Sequence, residues 1–291
     1  RADLVYQGAP SAAAAAAPSA GGMASQIGRP YKPQCDDVEL ADAHESKHRN
    51  ADAHDVELEQ RACEVELPYD LQQEIRVGFI RKVYGILTAQ MAFTVFFCAA
   101  CVFVTPMRHG IVKLYGIPGM QIIVFIPTMC VLCALTKYKS QHPLNYKLLA
   151  AFTFLMALPL GFVSAAYYSR GLGHLILQAA ALTMVCFGSL TAYTMLSGKN
   201  FSWMGAGLSM GLIGLIFWGF LAAVFGIGGG LIYSTFGAIL FCGYIVYDTW
   251  RVMAEYGCDD AIVASIELYL DIINLFMFLL QMLSEMSQGD H

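Results

Sequence analysis

An apolar stretch near the C-terminus, residues 262–283, carries two acidic residues close to its centre. A helix that crosses a bilayer needs about 20 mainly apolar residues, so the length of this stretch predicts a membrane span. An ionised carboxylate at the centre of such a helix costs at least ~2.5–3.5 kcal/mol. Glu267 and Asp271 are four positions apart and therefore share one helix face. Acids placed there predict a functional site.

The distribution of charge supports a membrane protein. Of the 291 residues, 57% are hydrophobic and only 13% are charged, whereas soluble domains average about 25% charged residues. Fourteen of the 22 acidic residues lie at or before Glu74, and the other eight lie at or after Asp248. Positions 75–247 contain no acidic residue, so the acids of the membrane part are few and clustered near its end.

Seven apolar segments predict an all-α membrane protein with seven transmembrane helices in a domain covering residues 71–285. A short amphipathic helix over residues 71–82 is expected before the first span, and residues 286–291 form a C-terminal tail. Within the fifth span, Gly207 and Gly211 form a small-residue motif that predicts close helix packing. The predicted spans are 83–105, 120–135, 146–168, 175–196, 204–225, 231–253 and 262–283.

Residues 1–70 are polar and rich in Ala, Asp, Glu and His. Such a segment buries too little apolar surface to offset its ordering entropy, which predicts a disordered cytosolic tail. Residues 1–22 include a low-complexity alanine run, and Met23 is a candidate for the true start of the protein.

Lysine and arginine residues predict the orientation of the bundle, because cytosolic loops are enriched in them. With the N-terminus in the cytosol, eight basic residues flank the inner ends of the spans and three lie in the outer loops. Seven spans then place the C-terminus on the far side, although a re-entrant last helix remains an alternative. Rhodopsin-like receptors start outside and do not fit this count.

A second acid, Asp248, lies in the sixth span and pairs by position with Asp271. Asp248 is 11 residues before position 259 and Asp271 is 12 residues after it. Both therefore lie about 16–18 Å along antiparallel helices from the turn, within or near the middle of the membrane. If they face each other, they should share a proton. When ionised, they would form an oxygen-only site that suits Ca²⁺. A purely structural hydrogen-bonded pair is the alternative.

Three lysines near the second and third spans, Lys137, Lys139 and Lys147, are candidates for a basic latch on this pair. The alternative is that they extend to lipid headgroups. Glu267, one turn from Asp271, is a candidate accessory acid. We find no constellation of nucleophile, base and acid, so neither an enzyme nor a cofactor is expected, and nothing predicts nucleic-acid binding.

Four ordered motifs carry a resemblance to a known family: FIRKVYGILTAQ at 79–90, HPLNYKLL at 142–149, FCGYIVYDT at 241–249 and LYLDIINLF at 268–276. Together they resemble the Bax-inhibitor-motif family in its lifeguard branch, over about residues 74–283. The resemblance implies a seven-helix fold in which the last helix is central and the other six wrap it. It also implies a pH-sensitive Ca²⁺ leak, mostly in ER or Golgi membranes, and suppression of cell death.

The resemblance assigns roles to individual residues. The family's di-aspartyl pH sensor corresponds to Asp248 and Asp271, which are also the expected transient Ca²⁺ ligands. Lys139 is the nearest match to the basic latch of bacterial members. Two residues depart from the pattern. Met156 replaces a glutamate that many lifeguard proteins have, as in plant-type members, and Glu267 replaces a small or polar residue.

Three functions remain open at this point. The first is a passive Ca²⁺ leak in which Ca²⁺ is the permeant ion and H⁺ the regulator. The second is a Ca²⁺/H⁺ antiporter that uses the same pair. The third is a non-conducting scaffold that binds membrane or cell-death regulatory proteins. All three place the protein in a lipid bilayer.

Overall fold

The computed structural model describes residues 69–117, 119–138, 141, 143–226, 230–257 and 260–289. The regular structure in these ranges is helical, with no strand. All but the last two residues of the predicted tail lie outside the described residues, as do Met23 and the latch candidate Lys139; residues 69 and 70 begin the first helix. The helices are α1 (Tyr69–Phe103), α2 (Thr105–Tyr115), α3 (Met120–Lys137), α4 (Leu144–Ser169), α5 (Gly173–Ser197), α6 (Met204–Phe225), α7 (Gly230–Ala254) and α8 (Ala261–Gly289).

Seven of these helices are long and apolar enough to cross a membrane: α1 and α3 to α8. The prediction of a seven-span, all-helical membrane protein is therefore confirmed. The first predicted span runs two residues beyond the end of α1, and the other six fall within α3 to α8, most of which extend beyond the predicted ends.

The separate amphipathic helix predicted for residues 71–82 is wrong, because α1 is one continuous helix of 35 residues. No proline or glycine interrupts the chain where the predicted helix meets the span at Lys82 and Val83. Phe79 and Val83 lie one turn apart and are both buried, so one packed face continues from the polar start into the span.

The segment between the first two spans is helix α2 rather than the expected loop. Pro106 lies in its first turn, where a missing backbone N–H removes no helical hydrogen bond. Its buried face packs on α4, where the rings of Tyr115 and Phe162 stack with centroids 4.9 Å apart. Helix α2 is shorter than a span and lies against the bundle.

The last helix is the centre of the bundle. In its most apolar stretch 61% of residues are buried, compared with 44% or fewer in every other span. Helix α8 packs along α7, α5 and α1. It also meets α4, where the Phe152 and Tyr269 ring centroids lie 6.2 Å apart. Helices α3 and α6 lie at the periphery, where α3 packs mainly on α4 and α6 on α7.

The glycine motif predicted for close packing in α6 is correct for only one of its two members. A Cβ atom added to Gly211 would lie 2.7 Å from Cδ1 of Leu240 on α7. A Cβ atom at Gly207 would meet nothing within 4 Å. Gly211 therefore permits the approach of α6 to α7, whereas Gly207 faces away from the bundle.

Candidate functional site

The two aspartates meet in the contact between α7 and α8. Asp248 is only 6% exposed and Asp271 only 4%. Their side chains lie within interaction range of each other. The Oδ2 atom of Asp271 is buried and, among the described residues, has no hydrogen-bond partner. Buried polar atoms are almost always paired, so this oxygen marks a place where a proton, a water molecule or a cation can bind.

The pair lies in the half of the bundle nearest the α7–α8 connection. Asp248 is six residues before the end of α7, which is about 9 Å of helix, and Asp271 is ten residues after the start of α8, which is about 15 Å. The side chains meet, as their matched positions on either side of the turn predict.

Arg251 is the basic residue at the pair. It lies one turn after Asp248 on α7, and its Nη1 atom is 3.3 Å from Oδ1 of Asp248. The same nitrogen donates to Oε2 of Glu267 on α8 at 2.6 Å. Its Nε atom lies 3.3 Å from Oε2 of Glu255. One guanidinium group thus joins carboxylates on both helices, which its planar array of donors allows.

The structure places Glu267 beside the aspartate pair and bound to other groups. Besides Arg251, the hydroxyl of Tyr256 donates to its Oε2 atom. Tyr256 lies in the α7–α8 connection, and its backbone oxygen accepts a bond of 2.5 Å from Nη1 of Arg76 on α1. Burial, and then the charge of Glu267, raise the pKa of the Tyr256 phenol. The phenol therefore stays protonated and remains a donor to Glu267.

Lys139, the expected latch, lies outside the described residues. Lys137 lies with its Nζ atom 5.8 Å from the ring centroid of Tyr138. The cation that sequence reasoning missed at the pair is Arg251. Its spacing of three residues from Asp248 places both on one face of α7, a signal that could have identified it.

Buried hydroxyl groups from α1, α5 and α7 lie together, and the one from α7 belongs to Thr249, the residue after Asp248. Tyr84 of α1, Thr191 of α5 and Thr249 of α7 each have a buried side-chain oxygen that lacks a well-aligned hydrogen bond. The hydroxyls of Thr249 and Thr191 nevertheless reach that of Tyr84. A cluster of loosely paired polar atoms inside a bundle is a site where water can be held.

The chemistry open to this site is proton sharing and transient cation binding. Two carboxyl groups in one low-dielectric contact do not readily ionise together, so the pair favours a state that holds one proton. Ca²⁺ prefers six to eight oxygen ligands. The described residues contain no cluster of three or more His, Cys, Asp or Glu side chains able to hold a metal. A cation at the pair would keep much of its water and would not be held tightly.

Comparison with known proteins gives consistent matches over the helical domain. The family model described as "Inhibitor of apoptosis-promoting Bax1" matches residues 76–288. The chain is 39% identical to the BI1-like protein of Arabidopsis thaliana over 245 residues, which cover 81% of this chain and 92% of that protein. Protein LIFEGUARD 4 of Arabidopsis thaliana is 40% identical over 212 residues, covering 71% and 84%. The Golgi anti-apoptotic protein of Vaccinia virus (strain Lister) is 40% identical over 210 residues, covering 72% and 86%.

Proposed function

The chain belongs to the family of inhibitors of apoptosis-promoting Bax1, and from this premise we propose that it is a pH-sensitive Ca²⁺ leak channel that suppresses programmed cell death. The observation that carries the channel proposal is the Asp248–Asp271 contact between α7 and α8, which includes a buried carboxylate oxygen without a hydrogen-bond partner among the described residues. Acids inside a membrane bundle typically mark ion or proton pathways.

Protonation of the pair is the proposed switch. With one shared proton, the two carboxyl groups attract each other and hold α7 against α8. When the proton leaves, two negative charges repel each other across the helix contact and attract a hard cation. The leak is therefore low at acidic pH and rises toward neutral pH.

Arg251 sets how strongly the pair holds its proton and its cation. Its guanidinium group lies 3.3 Å from one aspartate oxygen and 2.6 Å from Glu267, so it offsets part of the negative charge on both helices. Because this cation is fixed at the site, a permeating Ca²⁺ ion meets a weaker negative potential and is released more readily. The proposed basic latch is therefore Arg251, with Lys139 as a second candidate.

The cell-death role rests on the relatives. The viral protein is named as a Golgi anti-apoptotic protein, and the plant relatives are named BI1-like and LIFEGUARD. We propose an internal membrane, Golgi or ER, with the N-terminus in the cytosol as the basic residues predict. A slow Ca²⁺ leak from such a store lowers the Ca²⁺ available for a death signal, and membrane or cell-death regulatory proteins are the proposed partners.

The test is Ca²⁺ flux from liposomes that contain the purified protein. We expect a passive leak that increases from acidic to neutral pH, and Asp271→Asn should flatten this dependence because a single carboxyl cannot share a proton with its partner. Glu74→Gln is the control, since Glu74 is an exposed acid at the start of α1 and should leave the pH profile unchanged.

The same measurement separates the other functions. Uphill Ca²⁺ movement that requires a proton gradient would establish the antiporter. Absence of Ca²⁺ flux at every pH, together with protection of cells from death, would establish the scaffold.

A further inference from the structure

Helices α7 and α8 meet in three tiers that repeat every seven residues. Seven residues are the spacing at which two packed helices keep one seam, and they correspond to about 10.5 Å along each helix. The two helices are antiparallel, so residue numbers rise along α7 in the direction in which they fall along α8. The facing pairs are Asp248 with Asp271, Phe241 with Phe278, and Ser234 with Glu285.

The two end tiers are polar. The inner tier is the Asp248–Asp271 pair already described. In the outer tier, near the far end of the bundle, the Ser234 hydroxyl donates to Oε2 of Glu285 at 3.4 Å. The Gln281 side chain donates to Oε1 of the same carboxylate at 3.0 Å. Each end of the seam therefore presents carboxylate oxygen to a cation.

The middle tier is aromatic and tightly fitted. The Phe241 and Phe278 rings stack with centroids 5.7 Å apart, and Tyr233 meets Phe278 edge-on at 5.6 Å. Phe278 lies directly over Gly237 of α7, where an added Cβ atom would clash with Cδ1 of the ring. The Phe278 ring thus fills the seam in a place that only a glycine on α7 leaves free.

Phe278 also interrupts a polar face of α8. The polar residues on this face follow helical spacing, three or four positions apart, so they lie along one side of the helix. They are Glu267, Asp271, Asn274, Gln281 and Glu285. In the most buried helix of a membrane bundle such a face needs polar partners on neighbouring helices, and it also marks a candidate path for water or ions. Phe278 lies four residues after Asn274 and three before Gln281, so this bulky apolar ring falls within the polar face; Met277 is the other apolar residue at this spacing.

We propose that the α7–α8 seam is the ion path of the leak, and that Phe278, packed on Phe241, is its hydrophobic gate. This inference rests on the proposed channel function. A hydrophobic constriction closes a path by excluding water from it, so a hydrated hard cation cannot pass while the rings are stacked. Glu285 attracts the cation at the outer mouth, and the aspartate pair receives it at the inner end.

The gate and the aspartate pair act through the same two helices. Repulsion between ionised Asp248 and Asp271 pushes α7 and α8 apart. The aspartate pair lies one tier, about 10.5 Å along the helices, from the stacked rings. A small separation lets the Phe278 ring move off Gly237 and admits water. The proton therefore controls the gate, whereas the rings block the ion.

The first experiment measures Ca²⁺ flux from liposomes for Phe278→Ala. We expect a leak several-fold above wild type at acidic pH, where the wild-type seam is closed. Phe276→Ala is the matched control, because it removes the same ring from another face of α8. Phe276 lines the cavity between α1, α4 and α5 rather than the seam with α7. A leak from Phe278→Ala equal to that of a conducting wild type overturns the gate and leaves the channel function standing.

The second experiment measures water access and does not depend on flux. Asn274→Cys, between the aromatic and inner tiers, is treated with a membrane-impermeant thiol reagent, and its modification is read by peptide mapping so that native cysteines do not interfere. Gln281→Cys, beyond the rings, is the accessible reference. We expect the modification rate of Asn274→Cys to rise several-fold when Phe278→Ala is added. Equal rates in the two backgrounds overturn the gate, including when no variant passes Ca²⁺.

Discussion

Helices α8 and α6 are both long, apolar spans, yet they occupy opposite environments. In α8, 61% of the most apolar stretch is buried, whereas in α6 the fraction is 6%. Helix α6 contains no charged residue, whereas α8 contains Glu267, Asp271 and Glu285. The more buried helix is therefore the more polar one, which is the reverse of a soluble protein.

The reversal follows from the solvent. Side chains such as Ile213 and Phe220 of α6 are 68% and 62% exposed, and in a bilayer they face lipid tails. A charge there would find no partner, because lipid tails offer no hydrogen bonds. A charge in α8 has protein around it, and Arg251 supplies a countercharge to Glu267 at 2.6 Å. Polarity is possible in α8 because neighbouring helices provide partners.

The largest expected effect comes from removing Arg251, the cation that Asp248 and Glu267 share. Arg251→Ala leaves the buried Asp248 and the partly buried Glu267 without their countercharge. Breaking a buried ion pair in this way typically costs about 3–5 kcal/mol, and we expect the lower end because the Arg251 side chain is 25% exposed. The free energy of unfolding should fall accordingly, measured by denaturant titration in mixed micelles.

Arg170→Ala is the matched control for this loss, since Arg170 is exposed at the end of α4. It should leave the free energy of unfolding nearly unchanged. Arg251→Lys should recover only part of the stability, because an ammonium group lacks the planar array of donors that reaches both helices. Equal stability of Arg251→Ala and wild type would show that the network does not stabilise the α7–α8 contact.

A smaller effect is expected from deleting apolar side chains in the two helices. Leu275 of α8 is completely buried, so Leu275→Ala removes packing contacts and leaves a cavity. We expect it to lower the free energy of unfolding by about 2 kcal/mol. Ile213→Ala in α6 removes a side chain that faces lipid and should change stability little. Losses of similar size at the two positions would contradict the contrast between buried and lipid-facing helices.

The smallest effect concerns the one face of α6 that does touch the bundle. Gly211→Ala places a Cβ atom 2.7 Å from Leu240, whose flexible side-chain end must shift. We expect a loss of about 1 kcal/mol, the lower range for overpacking. Gly207→Ala adds a methyl group in open space and should be neutral or slightly stabilising, since alanine favours a helix. The same unfolding titration distinguishes them, and identical behaviour would mean that α6 does not pack on α7 through Gly211.

Much of the fold was predictable because the thickness of the bilayer sets the length of apolar sequence that each span must have. Each span needs its own run of apolar residues, so the seven segments could be recognised one by one. The short helix α2 was missed because it is too short and too polar to span. The composition changes at Val83, which predicts a boundary there. The helix α1 nevertheless continues through Val83, because no helix-breaking residue lies at that point.

The candidate site was predictable only in part. The meeting of Asp248 with Asp271 followed from counting residues out from one turn, because antiparallel neighbours rise by the same amount per residue. Glu267 shares a face with Asp271, but its actual partners come from α7 and from the connection. Spacing along one helix does not reveal which group of a neighbouring helix lies within hydrogen-bond reach.

The sequence by itself determined the number of spans, the acids they carry and the residues that share each helix face, since these depend on local hydrophobicity and helix periodicity. The tertiary structure decided what each face meets. It placed α8 at the buried centre, brought Arg251 into contact with both Asp248 and Glu267, and placed Phe278 over Gly237. The physical reason is that lipid does not distinguish among apolar helices, so their arrangement depends on close packing and on polar pairs between helices.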